Sequence, residues 1–245
     1  MMRLNLLRPT TTRVRLWQAG VALAIAILAM AAANQFVSPD KALTSDMLGM
    51  DFLPFYAGGT FARTGHIDLL YNVPATRAFE QKIAAANGID LGTHVGPFWN
   101  PPFYAWYLAP FSMLPYRMAL AVWTMVNVTA LIAAILLLIE MLPAGASWKS
   151  WALVPLLAFV SMPFIQAISH GQNTFMSLLL LCLAVTAWRS RKAVMAGVFC
   201  GLLMYKPQLA AVLSIAMTLS LGWRTWIGLA SVLFIFAMIT VVAMP

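Results

Sequence analysis

The feature that most constrains the fold of this sequence is a series of long apolar runs, several of which are long enough to cross a lipid bilayer. A helix rises about 1.5 Å per residue, so about 20 apolar residues span a hydrocarbon core of roughly 30 Å. Hydrophobic residues make up 62% of the 245 residues and charged residues only 9%, which exceeds the apolar share of soluble domains. The sequence therefore predicts an all-α membrane protein.

The basic residues between the apolar runs predict how the chain crosses the membrane. Residues 1–15 contain four arginines and no acid, which indicates a cytoplasmic N-terminus. Counting crossings from there places Arg189, Arg191 and Lys192 on the cytoplasmic side as well, in agreement with the positive-inside rule. The expected spanning or broken helices cover residues 16–37, 118–142, 151–168, 174–188, 193–205, 208–222 and 225–244.

The first apolar run permits a second interpretation. Ala31-Ala32-Ala33 resembles the small-residue end of a signal peptide, but the apolar run exceeds the roughly 7–15 residues usual there, so a retained helix is favoured. Either interpretation places the next segment outside the cytoplasm.

The last apolar run has no polar tail before Pro245. We therefore expect residues 1–245 to form a single transmembrane domain that is incomplete.

Residues 38–102 contain no spanning run and hold six of the seven acidic residues. This pattern predicts a long first extracytoplasmic loop. Its segments 51–62 and 75–87 have helical composition, and Gly65 and Gly88 are expected to end them. The loop should therefore contain short interfacial helices rather than a separate domain.

Later segments depart from simple spanning helices. Residues 103–114 are too short to cross the bilayer and are expected to be re-entrant or interfacial. Lys206-Pro207-Gln208 interrupts apolar sequence and predicts a broken helical hairpin with an outward tip, because proline removes a helix hydrogen bond and a lysine is costly at membrane depth. Gly197 and Gly201 have the spacing that lets a neighbouring helix approach closely. The predicted fold is a polytopic helical bundle.

Charge and motif patterns exclude several functional classes. The net charge of +8 is scattered at the ends of apolar runs, so nucleic-acid binding is not indicated. Cys182 and Cys200 lie inside apolar runs, which supports neither a disulfide framework nor a metal cluster. The sequence has no Walker A, dinucleotide-binding, His-Glu-x-x-His or Gly-x-Ser-x-Gly pattern. Nucleotide-driven and zinc-dependent chemistry therefore have no support.

The stretch from Asp51 to Tyr56 places a carboxylate among aromatic rings in a chain with few carboxylates. Such an acid, partly removed from water, can act as a general base on a hydroxyl group, and nearby basic side chains can bind a phosphate and stabilise its charge as it leaves. The topology gathers these candidates at the outer face: Asp51, Tyr56, Tyr71, Asn100, Tyr104, Arg117, His170, Gln172, Asn173 and Lys206. Together they predict transfer of a group from a lipid phosphate to an alcohol.

Each candidate also has a simpler structural interpretation. Asp51 can be a helix N-cap or a solvated loop acid, and His170 and Gln172 can belong to a polar turn between two helices. Lys206 can reach the interface along its aliphatic stem. Arg117 fits a phosphate-level anchor better than a catalyst, and the tyrosines fit an interfacial aromatic belt.

Several short motifs occur in an order that resembles a known family. They are Asp51-Phe-x-x-Phe-Tyr-Ala-Gly, Leu70-Tyr71, Phe98-x-Asn-Pro-Pro102, the Pro110 to Pro115 segment with Trp123 and Asn127, Gly171-Gln172-Asn173, and Ala196-Gly197 through Lys206-Pro207. Over about residues 45–225 the chain resembles glycosyltransferase family 87. These are polytopic, mannosyltransferase-like enzymes of the GT-C superfamily that use polyprenyl-phosphate sugar donors.

The resemblance implies an inverting transfer, usually of mannose, to a hydroxyl of a glycan or glycolipid acceptor at the extracytoplasmic face of the cell membrane. It implies that Asp51 is the base and that Gly171-Gln172-Asn173 and Lys206 lie near the donor, with His170 added by adjacency. Enzymes of this kind generally need no metal or other cofactor, because basic side chains can neutralise the leaving phosphate. The chain departs from the family at Asn100, where an aromatic residue commonly precedes the two prolines.

Two other functions fit parts of the pattern. A transporter or flippase of lipid-linked sugars would use Lys206-Pro207 as a broken-helix binding site. It should also carry polar residues at mid-membrane depth in several helices, and residues 118–142 and 225–244 are nearly bare of them. An inactive subunit or truncated remnant is the third interpretation, which follows from the end at Pro245.

Overall fold

The computed structural model describes residues 48–92, 96–142 and 162–243, and within these ranges the chain is helical and has no β-strand. The apolar run at residues 16–37 and most of the run at 151–168 lie outside the described residues. The described helices are α1 (Phe52–Arg63), α2 (Val73–Ala86), α3 (Pro102–Leu108), α4 (Tyr116–Glu140), α5 (Met162–Ser169), α6 (Thr174–Arg189), α7 (Ala193–Leu202), α8 (Pro207–Leu221) and α9 (Arg224–Ala243). Short 3₁₀ turns occur at Ile67–Leu69, Phe111–Met113 and Leu203–Tyr205.

The first two helices form in the acidic segment that precedes the long apolar runs. The side chain of Asn72 caps α2 by accepting a hydrogen bond of 3.1 Å from the Ala75 N–H, and a proline in the first turn suits this start. Gly65 and Gly88 follow α1 and α2 with φ of 77° and 70°, a conformation that glycine adopts without strain. Local sequence signals therefore set both helix ends.

Two helices are long and apolar enough to cross a membrane, namely Tyr116–Glu140 and Arg224–Val242. The 25 residues of α4 extend about 37 Å, which exceeds the hydrocarbon thickness of roughly 30 Å. Large apolar side chains of α9 face outward, and Phe234 and Val242 are 67% and 77% exposed. A surface of this kind suits lipid rather than water.

Helices α7 and α9 pack backbone against backbone. A Cβ atom at Gly197 would lie 1.9 Å from the Thr225 carbonyl oxygen, and one at Gly228 would lie 1.9 Å from the Val194 carbonyl oxygen. Neither position has room for a side chain. The Gly197 spacing in the sequence indicates this close approach, whereas its partner Gly228 carries no such signal.

The start of α1 is fixed against α4 by aromatic packing. Phe52 and Trp123 are both fully buried, and their rings stack with centroids 5.7 Å apart. Tyr116 adds a tilted contact to Phe52 at 5.9 Å. Because Asp51 directly precedes Phe52, this packing also fixes where the acid lies.

Candidate active site

Asp51 is joined through its backbone to the turn between α5 and α6. The Asp51 N–H donates to the His170 carbonyl at 2.8 Å, and the Gly49 N–H donates to the Ser169 carbonyl at 2.8 Å. The Phe52 N–H also donates to the His170 carbonyl, at 3.2 Å. These bonds hold together two segments that are far apart in sequence, as expected if the acid and the polar turn belong to one site.

The carboxylate of Asp51 is bound by side chains of the same turn. The Gln172 Nε2 donates to Asp51 Oδ2 at 2.5 Å across 121 residues of sequence, and His170 Nδ1 lies 3.5 Å from the same oxygen. The Thr174 hydroxyl donates to Gln172 Oε1 at 3.1 Å, which orients the amide so that its NH₂ faces the acid. The side chain of Asp51 is 40% exposed and that of His170 is 16% exposed. The carboxylate is therefore held in place and still open to a reacting group.

The side chain of Asp51 does not cap α1, although the simpler interpretation of this residue expects it to. Asp51 occupies the N-cap position of α1, but its side chain makes no capping hydrogen bond to the described residues of that helix. A capping aspartate would direct an oxygen to a backbone N–H of the first turn. Here the carboxylate points to Gln172 instead, so its position serves the polar turn rather than the helix.

Gly171 is the residue that lets the turn reach α1. Its φ is 70°, and a Cβ atom there would lie 2.8 Å from Cβ of Phe52. The buried indole N–H of Trp123 donates to the Gly171 carbonyl at 2.7 Å, which satisfies a polar group that would be costly to bury alone. Trp123 and Thr174 position this site, and sequence reasoning did not identify either as a site residue.

A second group of polar and aromatic side chains continues from the turn towards Lys206. The Asn173 amide donates to the Tyr104 hydroxyl at 3.0 Å, and the Tyr104 ring stacks on Tyr205 with centroids 4.9 Å apart and an angle of 17°. The Ser177 and Tyr205 hydroxyls share a hydrogen bond of 2.9 Å. Asn173 therefore connects the turn at Asp51 to the residue that precedes Lys206.

Lys206 lies at the N-terminus of α8, directly before Pro207. Its ammonium group is partly buried, and this burial lowers the pKa of Lys206 because removal from water disfavours the charged form. The Asn100 amide donates to the Tyr205 carbonyl at 3.2 Å, so Asn100 is a near neighbour. Among the described residues, no hydrogen bond or ion pair joins Lys206 to Asp51 directly. A charged lysine and a helix N-terminus together form an environment that favours an anion.

Three other candidates bind backbone carbonyl groups away from the carboxylate. Arg117 Nη2 donates to the Asn87 carbonyl at 2.7 Å, and the Tyr56 hydroxyl donates to the Leu114 carbonyl at 3.0 Å. The Tyr71 hydroxyl donates to the Asn100 carbonyl at 2.8 Å. In the described ranges, no hydrogen bond or ion pair links any of these three side chains to Asp51. Arg117 therefore joins α4 to the residue after α2, and Tyr56 joins α1 to the segment before α4, while Tyr71 borders Asn100.

The acid Glu80 of α2 is buried, which the sequence did not indicate. Only 1% of this residue is exposed. Its Oε2 accepts a hydrogen bond from the Gly96 N–H at 2.9 Å, and its Oε1 has no partner among the described residues. Burial raises the pKa of Glu80 to about 7, with the Gly96 bond opposing the shift. Glu80 thus secures residue 96, which leads into the segment before Asn100.

We expect Glu80 to make the stability of the protein depend on pH. Its folded-state pKa of about 7 lies above the ordinary value of 4.5, so the folded state binds more protons than the unfolded state between these values. Stability should therefore fall as the pH rises from 4.5 to about 7. The melting temperature of detergent-solubilised protein would be measured at pH 5 and pH 8. It should fall more between these values in wild type than in Glu80→Gln, which has no carboxyl group to titrate. The exposed-acid variant Asp68→Asn should respond as wild type does; an identical response in Glu80→Gln contradicts the assignment.

The described residues contain no group of three or more His, Cys, Asp or Glu side chains suited to holding a metal ion.

A comparison with protein families finds that the model for glycosyltransferase family 87 matches residues 98–245, more than half of the chain. The matched range includes the turn at His170 to Asn173 and the segment at Lys206, and it begins after Asp51. No curated protein and no solved structure matches the chain.

Proposed function

The chain belongs to glycosyltransferase family 87, a family of membrane glycosyltransferases, and on that premise we propose that it moves a sugar from a polyprenyl-phosphate donor to an acceptor hydroxyl. Mannose is the proposed sugar, and the transfer is proposed to invert the anomeric configuration. The acceptor is a glycan or glycolipid. The observation that carries the proposal is the Asp51 carboxylate, which is partly exposed and oriented by Gln172 across 121 residues of sequence.

The proposed reaction is a single displacement. Asp51 takes the proton of the acceptor hydroxyl, and the acceptor oxygen forms a bond to the anomeric carbon of the donor sugar. The bond from that carbon to the phosphate oxygen breaks, and its electron pair leaves with the lipid phosphate. A base positioned in this way contributes typically 10²- to 10⁴-fold to the rate. Nothing in this reaction requires a metal or a redox cofactor.

The proposed donor site lies between the polar turn and Lys206. Lys206 and the N-terminus of α8 would neutralise the phosphate as it leaves, and His170 would approach it from the turn. Asn100, Tyr104 and Asn173 border the space between these two groups through the hydrogen bonds and ring stacking of that region. Arg117 is a further candidate for the donor phosphate and Tyr56 for the substrate, and each binds a backbone carbonyl group away from the carboxylate.

We propose a polytopic GT-C-like bundle with the N-terminus in the cytoplasm and the site at the extracytoplasmic face of the cell membrane. The geometry of α6 supports this orientation. The turn at Asp51 lies at its N-terminal end, and Arg189 lies at its C-terminal end, 16 residues later, which is about 24 Å away. Arg191 and Lys192 follow directly. The positive-inside rule then assigns the basic end to the cytoplasm and the site to the outside.

The proposed function is tested by following the labelled sugar of the donor. Membranes that carry the chain would be incubated with polyprenyl-phosphate mannose labelled in the sugar, together with a lipid and glycan extract as acceptor. We expect label to move from the polyprenyl donor into a more polar product in these membranes and not in membranes without the chain. If the label stays on the donor with every acceptor supplied, the proposal fails.

Gln172→Ala is expected to lower the transfer rate by roughly 10- to 100-fold, because a misplaced catalytic group can lose about 10² in rate. The carboxylate would lose the hydrogen bond that orients it. The effect should fall on kcat more than on the KM for the donor. Gln81→Ala, at an exposed position of α2, is the matched control and should leave both unchanged.

A second variant distinguishes an effect of Gln172 on the Asp51 carboxylate from a general loss of structure. Gln172→Glu would place a second carboxylate beside Asp51, and two carboxylates in contact hold a proton more tightly. We therefore expect the acid limb of its pH–rate profile to move to higher pH. A profile that keeps the wild-type shape in Gln172→Glu would show that Gln172 does not act on the base.

A further inference from the structure

An aromatic cleft lies beside the proposed site, between the start of α2 and the segment that precedes Asn100. It encloses about 240 Å³. Its walls include Leu70, Tyr71, Val73, Thr76, Phe98 and Trp99. These residues belong to the outer segment between α1 and α3, apart from the two helices that are long enough to span a membrane. We refer to this feature as the aromatic cleft.

Two of the aromatic side chains of the cleft, Tyr71 and Trp99, are exposed, whereas Phe98 is buried. The rings of Tyr71 and Phe98 lie 6.4 Å apart at an angle of 55°, so they form two sides of a corner. Trp99 is 85% exposed and Tyr71 is 52% exposed. Trp and Tyr have an apolar body with a polar group at one edge. Such an open corner suits a ligand that has both an apolar face and hydroxyl groups.

The aromatic cleft is connected to both halves of the proposed site. Tyr71 donates to the Asn100 carbonyl at 2.8 Å, and the Asn100 amide donates to the carbonyl of Tyr205, the residue before Lys206. On its other side, Phe98 packs against α1, because a Cβ atom at Gly58 would lie 2.7 Å from the Phe98 ring. Asp51 directly precedes that same helix. A ligand held in the cleft would therefore lie next to the elements that carry the base and the donor site.

The size of the cleft and its exposed rings favour a small ligand with an apolar face. A pyranose ring offers C–H groups on one face and hydroxyl groups at its edge, which match the exposed rings of Trp99 and Tyr71 and the free lone pairs of the Tyr71 hydroxyl. The volume of about 240 Å³ is below the roughly 300–1,000 Å³ of pockets for drug-sized ligands, so it suits one or two sugar rings. A long isoprenoid chain would extend far beyond it.

We propose that the aromatic cleft binds a saccharide, namely a sugar ring of the acceptor, and thereby holds the acceptor for Asp51. This proposal rests on the proposed function, because it names the substrate class that the base acts on. Trp99 supplies the open face, and Tyr71 joins the bound sugar to Asn100. The acceptor is therefore a glycan or the glycan part of a glycolipid, rather than a simple lipid alcohol.

Saccharide binding can be measured without turnover by saturation-transfer-difference NMR. The full chain in detergent would be mixed with mannobiose, and the signal transferred to the sugar protons compared between variants. We expect Trp99→Ala to reduce the signal at least fivefold, whereas Trp223→Ala should leave it unchanged. Trp223 is also highly exposed, at 68%, but lies at the start of α9. An equal signal in wild type and Trp99→Ala, or loss of the signal when a short polyprenyl phosphate is added, would overturn the proposal.

Failure of this inference can be told apart from failure of the proposed function. Asp51→Asn should bind mannobiose as wild type does while transferring sugar at a rate roughly 10²- to 10⁴-fold lower. Trp99→Ala should raise the KM for the acceptor roughly tenfold with little change in kcat, and Tyr71→Phe, which keeps the ring, should have a smaller effect. If the acceptor KM of Trp99→Ala is normal while Asp51→Asn is impaired, only saccharide binding by the aromatic cleft is overturned. If Asp51→Asn transfers sugar at the full rate while Trp99→Ala has lost mannobiose binding, only the assignment of Asp51 as the base is overturned.

Discussion

Asp51→Asn is expected to lower the rate of sugar transfer by roughly 10²- to 10⁴-fold, the contribution typical of a general base. Asparagine has the same shape and can still accept the hydrogen bond that Gln172 Nε2 donates to Asp51. It cannot take a proton from an acceptor hydroxyl. The backbone bonds of residues 49, 51 and 52 to the α5–α6 turn do not depend on the carboxylate, so the site should keep its structure.

The rate would be measured with purified protein in lipid vesicles, from the initial release of labelled sugar at equal protein amounts. Asp68→Asn is the matched control, because Asp68 is an exposed acid between α1 and α2. It should retain the wild-type rate and the wild-type membrane insertion. More than half of the wild-type rate in a correctly inserted Asp51→Asn would contradict the assignment of the base.

Gly228→Leu is expected to destabilise the protein strongly. A Cβ atom at this position would lie 1.9 Å from the Val194 carbonyl oxygen of α7, and backbone atoms cannot move aside as a flexible side chain can. Forcing extra atoms into a packed interface typically costs 1–3 kcal/mol and occasionally more. At about 3 kcal/mol the melting temperature of a chain of this size falls by roughly 6–12 °C.

The measurement is the melting temperature of detergent-solubilised protein, followed by intrinsic fluorescence. Ala230→Leu adds the same side chain two residues later on the exposed face of α9 and should leave the melting temperature within about 2 °C of wild type. Equal melting temperatures for Gly228→Leu and Ala230→Leu would show that α7 and α9 do not pack as closely as described.

The helices could largely be predicted from the sequence, because their signals are local. Apolar runs and the glycines at residues 65 and 88 indicate where α1, α2, α4 and α9 begin and end. The sequence indicates only one side of the contact between α7 and α9, since Gly197 belongs to a small-residue pattern and Gly228 does not. Which helices pack against each other depends on contacts between distant segments, and the periodicity of a single helix does not predict these contacts.

The candidate site was predictable in outline and not in its bonds. Asp51 stands out as an acid among aromatic rings, and the polar turn at Gln172 interrupts apolar sequence, so both could be named. The Trp123 bond to Gly171 and the Thr174 bond to Gln172 are single contacts that only the folded chain creates. Glu80 belongs to the acid-rich loop that the sequence predicts, but α2 packs so that its carboxyl group is buried.

The stereochemistry of the product tests the central claim most directly. A carboxylate that acts as a base permits one displacement and inverts the anomeric carbon, whereas a carboxylate that acts as a nucleophile gives two displacements and retains its configuration. NMR of the product formed from a donor of defined configuration would distinguish them. We predict that a β-linked polyprenyl-phosphate mannose gives an α-mannoside in the product. A β-mannoside would contradict the role of Asp51 as the base.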